Sequence, residues 1–256
     1  MPICLRNLVG TLLILACSVA VGQDFDDMCV VAARQTAAAS SDITAGLVAR
    51  YTMSSDPTPG TYTDASGNGN TGSQATAGAR PSLVTTNGKA CLYFDGTSDT
   101  FTVSHSSSLA TNRVTISAWI CAPTWKAYGV FATKTTSSSW NDGWGIVDST
   151  GAGTIGGRTV KFFGGSYLSA RGVNAITVTG TWTHVTGTCD GSSNAFYVNG
   201  VLKDSGAASG PSSSSGNLTI GYGPGGDYFT GGIYDFRIYN RALASNEVYT
   251  VWSATK

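Results

Sequence analysis

The stretch Val114-Thr115-Ile116-Ser117-Ala118-Trp119-Ile120 places apolar side chains at every second position. Successive side chains of a β-strand point to opposite faces, so this alternation predicts a strand with one face in a core. Further on, Asn199-Gly200 separates two apolar runs and predicts a tight hairpin, because a type I′ turn needs positive φ at both central residues. These two signals favour an antiparallel β-fold.

Short β-runs separated by Gly, Ser, Asn and Asp clusters continue to the end of the chain, as in a sandwich or barrel. The clearest predicted strands are 90–94, 100–103, 113–120, 160–163, 175–178, 184–188, 195–198, 218–221 and 232–239. Near the C-terminus, Ser245 is predicted to cap a short helix in which Val248, Val251 and Trp252 fold back onto the sandwich. The fold class expected is all-β with one short C-terminal helix.

The first 22 residues are predicted to be a secretory signal peptide. Arg6 supplies positive charge, residues 8–16 form a short apolar core, and Ala20-Val21-Gly22 offers small residues for cleavage. A membrane anchor is the alternative, but the apolar run is shorter than the roughly 18 residues that a span needs. Mature protein is then expected to begin near Gln23 and to be extracellular.

Two further regions follow the signal: an Ala-rich arm at 23–45, with a predicted short helix, and one domain at 46–256. No segment of the mature chain is apolar enough to predict a membrane span. The formal net charge is zero, only 12% of residues are charged, and the mature chain has no basic cluster. Nucleic acid is therefore excluded as a partner, because its binding depends on phosphate neutralisation.

Four cysteines remain after the signal: Cys29, Cys91, Cys121 and Cys189. An even number in an exported chain predicts two disulfides, and metal-binding thiolates are the competing interpretation. Three connectivities are possible, and the sequence does not choose among them. Pairing Cys121 with Cys189, both near strand ends, would staple the sandwich and leave Cys29 to tie the arm to Cys91.

Several stretches, in this order, resemble the laminin-G-like domains of the concanavalin A-like lectin and glucanase superfamily. They are GLVARY (46–51), DASGNGNTG (64–72), LYFDG (92–96), VTISAWI (114–120), WTHV (182–185), DG (190–191), FYVNGVL (196–202) and GIYDFRIYNRAL (232–243). Each piece alone is weak, but together they extend over some four-fifths of the chain. The resemblance implies a jelly roll of two antiparallel sheets.

Because the superfamily includes glycosidases, catalysis has to be considered. Most glycosidases need two carboxyl groups, and the laminarinase-like branch carries them as Glu-x-Asp-x-x-Glu on one strand. This chain has a single glutamate, Glu247, in the predicted terminal helix, and an Asp-only pair is the remaining alternative. The resemblance implies packing and a local hydrogen bond for His184. The sequence therefore predicts a protein that is not an enzyme.

The loop from 64 to 72 is a candidate for structural calcium, which prefers hard oxygen ligands from Asp, Asn and backbone carbonyls. Asp64, Asn68 and Asn70 supply such oxygens, and the resemblance implies that Asp235 lies near them. The alternative is that these side chains only hold the loop through local hydrogen bonds.

Aromatic residues in loops are candidates for stacking on sugar rings, with polar neighbours for the hydroxyls. The candidate ligand-binding residues are Trp125, Tyr128, Trp140, Asn141 and Asp142, with loop packing as the alternative. Asn217-Leu218-Thr219 is an acceptor sequence for N-glycosylation in a eukaryotic source.

Two functions follow as hypotheses. The first is a secreted, non-catalytic module that recognises a glycan or glycoprotein. Structural Ca²⁺ is its candidate cofactor. The second is a structural subunit of an extracellular filament, appendage or matrix, whose partners would be other protein subunits. Fold alone does not distinguish them.

Overall fold

The computed structural model describes residues 44–55, 60–123, 128–136, 140–149, 158–176, 180–212 and 215–256. In these ranges the chain forms two sheets that pack as a jelly-roll sandwich, which confirms the predicted fold class. The predicted signal peptide and all but the last two residues of the predicted arm lie outside the described residues. The boundary at residue 46 stays a prediction.

The strands and the helix have the following bounds. They are β1 (Leu47–Tyr51), β2 (Thr61–Tyr62), β3 (Gly72–Ser73), β4 (Ser82–Thr86), β5 (Lys89–Asp95), β6 (Phe101–Val103), β7 (Val114–Cys121), β8 (Val130–Lys134), β9 (Trp144–Asp148), β10 (Arg158–Gly164), β11 (Arg171–Ile176), β12 (Thr183–Cys189), β13 (Ser193–Val198), β14 (Val201–Ala207), β15 (Leu218–Ile220), β16 (Tyr222–Gly223), β17 (Asp227–Tyr228), β18 (Thr230–Tyr239) and α1 (Ser245–Thr255).

The first sheet has the order β14-β13-β12-β7-β18-β5-β4, and β1 pairs with β18. The second has the order β11-β10-β9-β8-β15-β6-β3-β2. The small β16–β17 hairpin joins the second sheet through one parallel bridge between Tyr228 and Val130. Every other pairing is antiparallel, as the hairpin signal predicts.

Strand β7 is buried on both faces. Its alternate apolar residues, from Val114 to Ile120, pack in the core against residues of the second sheet such as Trp144 and Phe162. Full burial of side chains of this size stabilises the fold by roughly 1.5–3 kcal/mol each. The opposite face is covered too, because Trp119 is buried and its indole N–H donates to the Thr255 hydroxyl at the end of α1 (2.8 Å).

The predicted hairpin is confirmed: Asn199 and Gly200 have φ of 49° and 76°, and Val198 pairs with Val201. Strand β11 begins earlier than the predicted strand 175–178, because its short connection from β10 sets Phe162 opposite Arg171.

The terminal helix is confirmed, with Val248 and Val251 buried, but its predicted cap is wrong. Ala244 is the capping residue, and its N–H donates to the Glu247 carboxylate (2.8 Å). The Ser245 hydroxyl is instead 3.1 Å from the Tyr197 hydroxyl. Over the part of the chain that is described, the helices lack the length and hydropathy needed to cross a bilayer.

The predicted Cys121–Cys189 disulfide is wrong. In the β7–β12 ladder Cys189 lies opposite Val114, whereas Cys121 lies at the other end of β7, about 20 Å away at the rise of a strand. A disulfide needs Cα atoms within about 7 Å. Cys91, Cys121 and Cys189 are buried free thiols, and burial raises the pKa of each. Cys29 lies outside the described residues, so its bond to Cys91 stays a prediction.

Candidate functional site

A cavity of about 200 Å³ opens on the outer face of the second sheet, where β8, β9 and β10 run side by side. Neighbouring residues of these strands point to opposite sides: Ile146 and Phe162 belong to the main core, whereas Val147 and Phe163 belong to a separate outer cluster. The cavity is lined by Tyr128, Val130, Trp140, Val147, Asp148, Tyr167 and Asp227, which we name the aromatic pocket.

Three aromatic rings dominate the aromatic pocket. The Trp140 ring lies with its centroid 6.3 Å from that of Tyr167, and both rings pack edge-on against Phe163 beneath them, at 5.6 and 6.0 Å. A backbone hydrogen bond from Tyr167 N–H to the Trp140 carbonyl (2.9 Å) holds the two segments together. Tyr128, the third ring, is 51% exposed. The pocket therefore offers flat apolar faces to solvent.

Two of these aromatic residues have a left-handed backbone, with φ of 61° at Tyr128 and 56° at Trp140. For a bulky residue other than glycine this conformation costs on the order of 1 kcal/mol and is uncommon. Such strain occurs preferentially at functional sites, where the surrounding structure imposes it. The pocket aromatics are thus held where local preference alone would not place them.

The β16–β17 hairpin forms one wall of the aromatic pocket and brings Asp227 to it. Gly223 pairs with Asp227, and a Cβ atom on Gly223 would lie only 2.7 Å from Cη2 of Trp140 and 2.6 Å from Cγ2 of Val130. Real Cβ atoms essentially never come so close to another heavy atom. Glycine at this position therefore lets Trp140 pack directly on the hairpin.

Two aspartates are among the residues that line the aromatic pocket. Asp148 ends β9, is 2% exposed, and is held by a hydrogen bond from its N–H to the Gly129 carbonyl (2.8 Å). Asp227 is half-buried on β17. Burial raises the pKa of the Tyr167 phenol, and the nearby Tyr128 and Asp148 raise it further.

The structure brings together two of the five predicted ligand-binding residues. Tyr128 and Trp140 share the aromatic pocket, whereas Asn141 and Asp142 lie beside it and hold the loops. The Asn141 side chain accepts from the Ser166 hydroxyl (3.4 Å), and the Asp142 carboxylate accepts from the Thr136 N–H (3.1 Å) and from the hydroxyls of Thr135 and Thr136. Trp125 lies outside the described residues. Ligand binding by these residues stays a prediction.

Sequence reasoning missed the other lining residues. Asp148 ends β9 and Tyr167 follows β10, whereas Trp140 precedes both strands; Asp227 comes from a hairpin nearly 90 positions after Trp140. The turn Gly223-Pro224-Gly225-Gly226 between Tyr222 and Tyr228 was the available signal, because glycine and proline mark a tight aromatic hairpin.

The side chains predicted to bind calcium are engaged within the protein. The Asp64 carboxylate accepts from the N–H groups of Arg50 (2.9 Å), Ser66 (2.9 Å) and Asn70 (3.0 Å). The Asn70 and Asn68 amides donate to the carbonyls of Val48 (2.7 Å) and Leu47 (3.0 Å). These contacts match the alternative interpretation, in which the side chains hold the loop.

Asp235, the fourth predicted calcium ligand, lies between two arginines. Its carboxylate is 2.8 Å from Arg50 Nε and 2.7 Å from Arg237 Nη2. Burial acts to raise the pKa of Asp235, but hydrogen bonds from the two guanidinium groups hold it below its ordinary value. A carboxylate that already pairs with two guanidinium groups is a poor ligand for calcium. Among the described residues, no three His, Cys, Asp or Glu side chains are grouped as a metal site.

Calcium at the 64–70 loop therefore stays a prediction with a direct check. Melting temperatures measured with calcium and with a chelator would differ if the ion stabilised the loop, because a ligand that binds only the folded state raises Tm. Equal melting temperatures would contradict structural calcium at this loop.

The predicted glycosylation site, Asn217, and the histidine His184 lie away from the aromatic pocket. Asn217 is exposed and its side-chain oxygen accepts from the His105 N–H (2.9 Å), so N-glycosylation stays a prediction. His184 is 1% exposed, and its Nε2 is 2.8 Å from the Ser117 hydroxyl, which matches the packing and local hydrogen bond that the resemblance implies.

Solved structures from several organisms share this fold. Domain 4 of AbnA, an extracellular arabinanase of family GH43 from Geobacillus stearothermophilus in complex with arabinotriose, aligns with a TM-score of 0.60 at 17% identity, covering 82% of this chain and 98% of that domain. The binding domain of Paraclostridial Mosquitocidal Protein 1 aligns with a TM-score of 0.62 at 17% identity, covering 83% of this chain and 53% of the other.

The binding domain of Botulinum Neurotoxin DC in complex with SialylT aligns with a TM-score of 0.53 at 13% identity, over 84% of this chain and 52% of that one. At such identities the likeness shows the fold alone, and the fold occurs both in binding domains and in chains of glycoside hydrolases. No curated protein sequence matches this chain. A family model does match residues 95–249, and the chain belongs to the concanavalin A-like lectin/glucanases superfamily.

Proposed function

We propose that this protein is an exported recognition module that binds carbohydrate in the aromatic pocket and does not cleave it. The observation that carries the proposal is the meeting of three aromatic rings around one open cavity, which the half-buried Asp227 also lines. Sugar rings have apolar C–H faces and polar hydroxyl edges. Aromatic faces suit the former and carboxylate acceptors the latter.

The size of the aromatic pocket favours one sugar unit. Its volume is about 200 Å³. Pockets that enclose a drug-sized ligand are larger, roughly 300–1,000 Å³. We therefore place a single residue of a glycan in the pocket, with its neighbours in solvent. Two structures of the same fold, in complex with arabinotriose and with SialylT, support carbohydrate as the ligand class.

The absence of catalysis is part of the proposal. Glu247, the chain's one glutamate, forms an ion pair with Arg241 (2.7 Å) and caps α1, so it serves the helix rather than a substrate. Turnover of oligosaccharides by the purified protein would overturn this part and would direct attention to Asp148 and Asp227. Export is proposed from the signal-like residues 1–22.

Tyr128→Ala is expected to weaken glycan binding by at least about tenfold, because exposed aromatic anchors carry much of the free energy of binding. Tyr249→Ala is the matched control: Tyr249 is 53% exposed, against 51% for Tyr128, but lies on α1 away from the aromatic pocket. The measurement is a glycan array to find a ligand, followed by calorimetry on the wild type and both variants.

Equal losses in the two variants, or none in either, would count against the aromatic pocket as the site. A complete lack of binding by the wild type across neutral, acidic and basic glycans would overturn carbohydrate recognition itself. The structural-subunit hypothesis would then be the one to pursue, by native mass measurement of the protein from its source.

A further inference from the structure

Five hydroxyl side chains form one row across the outer face of the second sheet. Strands β2, β3, β6, β15 and β8 each contribute one residue that lies directly opposite the next, namely Thr61, Ser73, Thr102, Thr219 and Thr133. Side chains of directly opposite residues share one face of a sheet. The neighbours of these residues along the chain, such as Tyr62, Phe101 and Leu218, belong to the main core, so the five hydroxyls face outward. We name the five residues the hydroxyl row.

The protein does not use the hydroxyl groups of this row for its own hydrogen bonds. None of the five has a side-chain hydrogen-bond partner among the described residues. On the outer face of the first sheet, by contrast, the Thr115 hydroxyl donates to the Arg241 carbonyl (2.8 Å). Thr133 is only 4% exposed, and its hydroxyl is buried without a partner. A buried, unpaired hydroxyl is destabilising, so the row keeps a hydrogen-bonding capacity that a ligand would satisfy.

The hydroxyl row leads to the aromatic pocket. In the next two strands the same row continues with Gly145 opposite Thr133, and with Phe163 opposite Gly145. Phe163 is the ring on which Trp140 and Tyr167 pack. It lies over Gly145 so closely that a Cβ atom there would be 2.8 Å from Cε1 of Phe163. The aromatic pocket and the hydroxyl row are therefore adjacent on the outer face.

The dimensions of the hydroxyl row fit an extended chain. Neighbouring strands lie about 4.8 Å apart, so the four steps from Thr133 to Thr61 span about 19 Å. One step is comparable with the length of one sugar unit in an extended glycan, so successive strands offer hydroxyls to successive sugars. Neighbouring strands are also rotated by roughly 20–25° relative to each other. The row therefore turns along its length and fits a single chain better than a flat crystalline surface.

The hydroxyl row and its surroundings carry no charge. The nearest outward-facing residues beyond the row are exposed or half-buried and also neutral, namely Thr63, Thr71, Ser104, Asn217 and Thr135. A hydroxyl is both a donor and an acceptor, as each sugar hydroxyl is. An acidic glycan would lose hydration of its carboxylates here and gain no opposite charge. The row therefore favours a neutral glycan.

Building on the proposed function, we infer that the hydroxyl row is an extended subsite for a neutral, linear glycan that runs across the strands with one of its sugars in the aromatic pocket. The sugars outside the pocket lie on the solvent side of the sheet and hydrogen-bond to the hydroxyls of the row. Each of these bonds is weak, but they add along one chain because the first contact holds the rest of the chain nearby. Affinity then depends on the length of the glycan.

Calorimetry tests this dependence with disaccharides and hexasaccharides of β-1,4-linked glucose, xylose and mannose, and with a galacturonic acid hexamer as the charged probe. We expect the hexasaccharide of the series that binds to be at least about tenfold tighter than its disaccharide. Added salt should leave this gain unchanged, because charge does not contribute to it. The charged hexamer should bind more weakly than the neutral one.

Thr102→Val with Thr219→Val is the decisive double variant, because valine keeps the branched shape and the strand preference of threonine and removes the hydroxyl. Affinity for the hexasaccharide should fall about tenfold, whereas affinity for the disaccharide should stay within about twofold and so show that the variant is folded. Ser82→Ala with Thr85→Val is the matched control, since both residues are exposed on β4 of the first sheet; it should change neither affinity. Tyr128→Ala should weaken both.

The outcomes separate this inference from the proposed function. Equal affinity for disaccharide and hexasaccharide, or a hexasaccharide affinity that the double variant leaves unchanged, overturns the inference while carbohydrate binding stands. The same holds if the charged hexamer binds tightest, if crystalline cellulose binds more tightly than the soluble hexasaccharides, or if the array finds a ligand but no neutral hexasaccharide binds. Failure of every glycan overturns both.

Discussion

Asp235→Asn is expected to lower the free energy of unfolding by about 3–5 kcal/mol, because it leaves a buried guanidinium without its counter-charge. The Arg237 side chain is 5% exposed and pairs with Asp235 at 2.7 Å. Asparagine has the shape of aspartate and tolerates the left-handed backbone at this position, where φ is 46°. The loss therefore reports the charge rather than backbone strain. Urea unfolding of the wild type and variant at neutral pH gives the value.

The second partner of Asp235 supplies the control. Arg50 contacts the same carboxylate, but its side chain is 36% exposed. Arg50→Ala should cost about 1 kcal/mol or less, because water screens an exposed ion pair. If Asp235→Asn costs no more than Arg50→Ala, the buried pair is not a main support of the first sheet.

Acid is expected to destabilise the protein through His184. Burial lowers the pKa of His184 to about 3, with a smaller opposing effect from Asp235 and a further lowering by Arg237. Below about pH 6.5 the unfolded chain protonates this histidine and the folded chain does not, so stability present above pH 6.5 is lost as the pH falls toward 3. The loss from this group should reach on the order of 2–3 kcal/mol between about pH 6.5 and 4.5.

His184→Gln should flatten this part of the stability profile, because glutamine cannot titrate and can still reach the Ser117 hydroxyl. Other acidic groups contribute to the total, so the measured quantity is the difference between wild type and variant at each pH. His105→Gln is the matched control, since His105 is exposed. An unchanged slope in His184→Gln would show that the buried imidazole titrates as it does in the unfolded chain.

Much of the fold could be predicted because its signals are local. Alternation in residues 114–120 gave β7, Asn199-Gly200 gave the β13–β14 turn, and Val248 with Val251 gave the buried face of α1. Each of these depends on side chains within one strand or one turn. The cap of α1 was missed because Ala244 has no capping side chain, and Glu247 supplies the acceptor from three residues away.

The disulfide prediction failed for the opposite reason. Sequence shows that Cys121 and Cys189 lie near strand ends, but the antiparallel register of β7 and β12 decides which ends meet. That register follows from burying one face of each strand, which is a property of the whole sandwich.

The candidate site, too, was predictable from the sequence only in part. Sequence by itself determined that the chain is a β-sandwich with few charged residues and one glutamate, and that Tyr128 and Trp140 lie in loops. Only the tertiary structure decided that Asp148, Tyr167 and Asp227 join Tyr128 and Trp140 in one pocket. Hydrophobic alternation acts over a few residues, whereas a pocket forms where packed sheets bring distant loops together, and no local pattern encodes that meeting.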